Sequence, residues 1–374
     1  MALSRWWRWG WPLILLGLMA AIPLLVWSGW SAISESSDGT DVSTPVDPTA
    51  PGYQAFVDPT PTLLLIHGDD NGLDGVSLLA LTDAGAEGAV LFVAPETMTP
   101  GGRLGALWIE SGSAGVVDAV AGLLGIRPSE LQVVNDQGWA AMVAAVAPIS
   151  VDNPDPLVTA TEERRFGAGV LSLAAGDVGP YLGWRNPDES PAAALFRHEL
   201  FWEAWLEAIA VSPQAVIPGE TDRGMGRFGR DLARGRVRFE TAPGVVDESG
   251  AVVLDAAKAG ELVAEIVPFS IPTIDTGRPR VLLLNGVGDP RFTKVAARAL
   301  SRAGARIVLI GNASEFGWEI TRIAHHDSGF APDALAYRDA LGTGSVTVQE
   351  QWDPGIDITV TFGADFSQRF AGDG

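Results

Sequence analysis

The 374-residue chain contains no cysteine, and cations are scarce: 25 Lys and Arg stand against 46 Asp and Glu, for a formal net charge of −21. The first absence excludes disulfides, thiolate metal sites and a cysteine nucleophile. The second excludes a nucleic-acid binder, because phosphate binding needs a basic footprint and this surface would repel a polyanion. Familiar catalytic frames are missing too. Ser111 and Ser113 in "ESGSAG" do not sit in a G-x-S-x-G elbow. "NGVGDP", residues 285–290, has Gly286 and Gly288 but no third glycine, and Pro290 stands where backbone amides should face a pyrophosphate. It reads as a tight strand-to-helix turn. His325 and His326 are adjacent, hence poorly placed to share a face, and Asp327 does not complete a metal set with them. They read as surface or loop residues.

What is present is apolar: 47% of the residues are hydrophobic, ample for packed cores. From Trp9 to Trp30 no residue is charged. At ~1.5 Å per residue this run gives roughly 33 Å, enough to cross the hydrocarbon layer. Arg5 and Arg8 precede it while Glu35, Asp38 and Asp41 follow, which predicts the amino terminus inside and the rest outside. Tryptophans fill "WSGWSA", where a cleaved signal peptide needs small residues, so a retained anchor is expected. Residues 1–30 are thus a cytoplasmic tail and membrane helix. Residues 31–61, rich in Ser, Asp, Thr and Pro, read as an extracytoplasmic linker.

The pattern beyond is α/β. "TLLLIHG", "GVSLLALT" and "GAVLFVAP" are three apolar strands, and "SAGVVDAVAGLLG" from Ser113 is a helix ending at Gly125. "ELQVVND" is a strand and "QGWAAMVAAVAP" a buried helix; "AGDVGPYLGWRNPDES" reads as a loop. Ser190 and Pro191 open an amphipathic helix whose Leu195, Trp202, Trp205 and Leu206 share a core-facing stripe. The arginine-rich segment after it, Arg223 to Arg238, reads as a solvated helix; docking of an anionic partner is its other use. Residues 271–279 form a second linker, and 280–366 a compact unit of order β-α-β-α-β-β. In "HGDDNG", residues 67–72, Asp69 and Asp70 fit a divalent-cation site at a strand exit. They fit turn formation equally.

Taken in order, tail, membrane helix, spacer, "TLLLIHGDD" and a terminal "VLLLNGVGDPRFTKVAARALSRAGARIVLIGNA" closing on "DITVTFGADF" resemble an actinobacterial-type LytR-CpsA-Psr protein with the LytR carboxy-terminal domain, over residues 62 to about 366. The resemblance implies an α/β/α sandwich in residues 62–270 and a small α/β terminal domain. It further implies transfer of glycopolymers from polyprenyl-pyrophosphate carriers to the cell wall, in an arginine-lined pocket with magnesium. Forked guanidinium donors and a metal neutralise the leaving group in such chemistry.

This sequence departs from that pattern. An aspartate followed two residues on by arginine becomes Asp70 and Gly72; an Arg-Ser-Asp strand start becomes Asp74, Gly75 and Val76. Pro-Arg-Asp at the third strand's end becomes Pro95, Glu96 and Thr97. An arginine pair becomes Gly183 and Arg185, and a basic helix keeps Arg197, followed by His198. Asp70, Arg185 and Arg197 remain as candidate site residues, with Asp70 as the magnesium ligand. With most donors missing and an acid added, the expectation is a non-catalytic relative that binds or scaffolds during envelope assembly. Its partners would be the membrane, through the amino-terminal helix, and a lipid-linked glycan or an active relative. The alternative is an active Mg-dependent phosphotransferase built on the same three residues. A different alignment would bring in Arg103, Arg164 or Arg165.

Overall fold

The computed structural model describes residues 45–82, 85–161, 163–212, 217–219, 222–273 and 278–370. The expected membrane helix lies outside these residues. Among the described residues one helix, α1 (Leu104–Leu124), is long and apolar enough to cross a membrane. It belongs instead to the folded domain, because Leu104, Val116, Val120, Ala121 and Leu124 are buried. Gly112 (φ 63°, ψ −154°) also interrupts it, one residue before the expected start at Ser113, in a conformation that only glycine adopts without strain.

The segment expected as spacer contributes a strand, β1 (Gln54–Phe56), that is used later in the chain. Next come β2 (Thr62–Asp69) and β3 (Gly72–Thr82), an antiparallel hairpin, and β4 (Glu87–Val93), antiparallel to β3. After α1, β5 (Glu130–Val134) runs parallel to β2 and leads into α2 (Asp136–Val143). A hairpin of β6 (Ile149–Asn153) and β7 (Gly169–Leu173) precedes helices α3 (Ala175–Gly183), α4 (Pro191–Ala210) and α5 (Gly224–Arg234). Strand β8 (Arg236–Thr241) adds in parallel to β4. The hairpin β9 (Gly244–Val246) and β10 (Val252–Leu254) and helix α6 (Ala256–Ile266) close the unit. Its sheet order is β8-β4-β3-β2-β5.

Alternation along β2 explains the layers. Leu63 and Leu65 face a core that includes Trp139 of α2, Tyr181 of α3, Trp202 and Trp205 of α4 and Phe228 of α5. Leu64 and Ile66 face the opposite core, with Val116, Val120 and Leu124 of α1 and Val263 of α6. Helices on both faces of one sheet make the expected α/β/α sandwich. In α4 the expected stripe of Leu195, Trp202, Trp205 and Leu206 is buried, and the Ser190 side chain accepts from the Ala193 amide as N-cap.

Two readings give way here. "AGDVGPYLG" is a helix, α3, rather than a loop. Two of its three glycines, Gly179 and Gly183, serve close approach: a Cβ on Gly179 would stand 2.4 Å from the Asp136 Cα. The arginine-rich segment splits into α5, with Met225, Phe228 and Leu232 buried, and strand β8. Its arginines meet local acids, Arg236 with Glu87, and Arg238 with Glu240 and Glu265.

The terminal unit comprises β11 (Arg280–Asn285), α7 (Arg291–Arg302), β12 (Arg306–Asn312), β13 (Arg322–His325), α8 (Ala331–Leu341), β14 (Ser345–Val348), β15 (Ile358–Phe362) and α9 (Ala364–Phe370). The sheet order is β1-β12-β11-β15-β13-β14, so the early strand β1 forms its edge, antiparallel to β12. "NGVGDP" is the turn expected of it: the buried Asn285 side chain accepts from the Val287 and Gly288 amides at 3.0 and 2.9 Å. His325 is not a loop residue. It is buried in β13 with Nδ1 2.9 Å from the Asp327 carbonyl, which that nitrogen therefore serves as donor, while His326 stacks on Trp352 at 4.5 Å.

Candidate functional site

The β2–β3 turn is built by its own side chains. Asp69 accepts from the Asn71 amide at 2.7 Å and from Asn71 Nδ2 at 2.9 Å, and the amide bond holds its carboxyl below the usual range. Trp108 Nε1 of α1 donates to the Asp69 carbonyl at 2.8 Å. Asp70 is exposed at the tip of this turn and borders a groove with Trp108, Gln132 and Asn135.

Behind the turn lies a tighter group. His67, on β2, is 4% exposed. Its Nε2 is 3.2 Å from Asp136 Oδ1 and 3.5 Å from Asp74 Oδ2. The three ligand atoms all lie within 4.8 Å of one another. Sheet register makes this cluster. His67 is opposite Val134 of the parallel strand β5, so Asp136, two residues further at the start of α2, arrives beside the imidazole. Asp74 comes from the facing hairpin strand, one residue before the partner of His67, Gly75. Burial, and then the charges of Asp69 and Asp136, push the Asp74 carboxyl up to about 6. Burial lowers the His67 pKa against the pull of Asp136. His67 and Asp136 escape notice in the sequence because nothing there states that β5 neighbours β2.

The two arginines come together on the far side of Asp74. Arg185 Nη2 donates to the Asp74 carbonyl at 3.1 Å, and Nη1 to the carbonyls of Trp184 and Leu182 at 3.0 and 3.3 Å. Arg197, on α4 and 2% exposed, pairs with Glu189, donates to the Trp184 carbonyl and lies 5.8 Å over the Tyr181 ring. His198 donates from Nε2 to the Leu182 carbonyl at 2.8 Å, and burial drives its pKa well below the usual value, so the ring is neutral. These three side chains fasten the segment from Leu182 to Glu189 onto α4 and β3.

At the end of β4, Glu96 Oε2 is buried with no hydrogen-bond partner among the described residues, and its charge acts on Arg185. The same residue's carbonyl accepts from the Val252 amide at 3.0 Å, so the β9–β10 hairpin covers the strand exit. Arg103 holds that hairpin through the Ser249 carbonyl at 2.6 Å. Arg164 and Arg165 are exposed in a short strand. Asp70 has no contact with either Arg185 or Arg197 among the described residues.

This donor set does not fit the magnesium–pyrophosphate arrangement that the resemblance implies. Magnesium prefers an all-oxygen shell, whereas the clustered ligands include an imidazole. The guanidinium forks are bonded to internal acceptors.

Comparison with known proteins adds a family for the terminal unit. Residues 278–366 match the family model described as "LytR cell envelope-related transcriptional attenuator". No curated protein matches the chain. Similar solved structures include the LytR-Csp2A-Psr enzyme from Actinomyces oris, 17% identical over 57% of this chain and 95% of that one, with a TM-score of 0.45. Others are TagV of B. subtilis (13%, 56% and 97%, 0.45) and Lin1025 from Listeria innocua (18%, 55% and 97%, 0.40). The terminal 89 residues, from Arg278 through β11 to the start of α9, therefore carry the pattern of the LytR C-terminal family.

Proposed function

We propose that the chain works in cell-envelope assembly as a non-catalytic binding or scaffolding protein. It is held at the membrane by its amino-terminal apolar segment, with both folded units outside. The envelope setting draws on the description of the terminal family. The absence of catalysis draws on one observation: Arg185 and Arg197 direct their forks at the carbonyls of Asp74, Leu182 and Trp184 and at Glu189. A charge-assisted contact to a pyrophosphate is worth ~1.5–3 kcal/mol. Withdrawing either guanidinium leaves buried acceptors unpaired at a similar cost, so the exchange brings little net stabilisation. Glu96 adds like-charge repulsion near the place a phosphate would take. A lipid-linked glycan, or an active relative that carries one, is the partner this reading favours.

A second reading, an active phosphotransferase, is favoured by the His67, Asp74 and Asp136 cluster, which offers metal-ligand spacing. Incubation of the full chain with a labelled polyprenyl-pyrophosphate glycan and a divalent ion separates the two. Retention of the donor without release of polyprenyl phosphate is expected. Release that disappears in an Asp74→Asn variant would establish the enzyme instead.

A further inference from the structure

We propose that His67 Nε2, Asp74 and Asp136 bind a divalent transition ion of the zinc class, with the remaining coordination positions filled by water. A tetrahedral ion with bonds of about 2.0–2.2 Å holds its ligand atoms roughly 3.4 Å apart. The imidazole stands 3.2 Å from one carboxylate oxygen and 3.5 Å from the other, so the spacing is nearly met. Asp136, whose side chain is half exposed, can close the rest by rotating, and leaves a path for the ion.

Hydrogen bonding alone does not account for the group. A ring nitrogen carries one hydrogen, so Nε2 can serve a single carboxylate, and the second faces it without a proton to share. The ring is too deeply buried to turn to water. A cation between the three atoms serves both carboxylates at once, and two carboxylates with a neutral imidazole balance its charge. The other ring nitrogen, Nδ1, is buried without a partner among the described residues. The ring borders a void of about 10 Å³, also lined by Ser77 and His198, with room for about one water. Metal on Nε2 places the hydrogen on Nδ1, where such a water would accept it, the outer support that ligating histidines usually have.

The walls fit the same use. A Cβ on Gly183 would stand 2.9 Å from the Asp74 carboxylate, and one on Gly179 2.4 Å from Asp136 Oδ1, so α3 closes over both ligands with bare backbone. Imidazole with carboxylates selects zinc-type ions, whereas carboxylate and water alone suit magnesium. The site does not depend on whether the chain binds or transfers a glycan.

The test uses the full chain, stripped with EDTA and titrated with Zn²⁺, with bound metal counted by elemental analysis after desalting. One zinc per chain is expected, and at a hundredfold excess over Kd a rise in Tm of roughly 5–10 °C. Asp136→Asn, at a half-exposed position that keeps the fold, and Asp74→Asn should each weaken zinc binding by ~100-fold or more, since even outer-shell changes cost 10–100-fold. Folding of both variants is checked by circular dichroism. No zinc-dependent rise, undiminished binding by Asp136→Asn, or an equal rise with the same concentration of Mg²⁺ would overturn the assignment.

Discussion

Glu189→Gln tests whether Arg197 is a structural clamp. Arg197 and Glu189 have side chains only 3% and 8% exposed, so their ion pair is little screened by water. Glu189 Oε2 also accepts from the Asn186 amide at 3.0 Å, which ties the loop before α4 to the same carboxylate. Glutamine keeps one acceptor oxygen. If that oxygen serves Asn186, its NH₂ points a donor at the guanidinium. Leaving one member of a buried pair without its counter-charge costs about 3–5 kcal/mol. For a unit of about 200 residues this lowers Tm by roughly 10 °C. Urea unfolding should show a reduced midpoint at unchanged slope, and Glu189→Leu combined with Arg197→Met should recover much of the loss. A destabilisation below ~1 kcal/mol, together with stronger pyrophosphate binding, would refute the clamp, because the guanidinium would then be held in reserve for a ligand.

Other positions give independent checks by thermal or urea unfolding. Gly179→Ala should destabilise by at least ~1–3 kcal/mol, since its Cβ meets Asp136 at 2.4 Å; Gly122→Ala, a helical position with nothing within 4 Å, should be neutral or stabilise by ~0.5–1 kcal/mol. Asn285→Ala leaves the Val287 and Gly288 amides without their acceptor and should cost ~2–4 kcal/mol in the terminal unit. Asp357 is held below the ordinary aspartate value of 3.8 chiefly by the side-chain bond from Arg280. Its contribution is therefore full above pH 3.8 and lost as pH falls through the lower folded-state value, so Asp357→Asn should flatten that acid limb in a pH-dependent melt.

The sheet and its layers were legible because β2, β3 and β4 alternate or saturate with aliphatics, and α4 states its own start through Ser190 and Pro191. Helix α3 was not, because Gly176, Gly179, Pro180 and Gly183 spell a loop by propensity. Contact with Asp136 and Asp74 is what requires Gly179 and Gly183, and that contact is tertiary. The same limit hid His67 and Asp136. Sixty-nine positions apart, they meet only through the parallel pairing of β2 with β5. Arg185 and Arg197 entered as candidate site residues only through the resemblance, and their acceptors, mostly backbone carbonyls, leave no trace in the letters.

Strand β1 changes what the two folded units are to each other. Because Gln54–Phe56 pairs with β12, the terminal unit begins before the sandwich and ends after it, and the sandwich is an insertion within it. A fragment cut at Thr62 would strip that sheet of its cover and expose β12 as a naked edge, prone to pairing with other chains. A pull on the chain ahead of residue 45 would fall first on the β1–β12 ladder of the terminal unit and only afterwards on the sandwich.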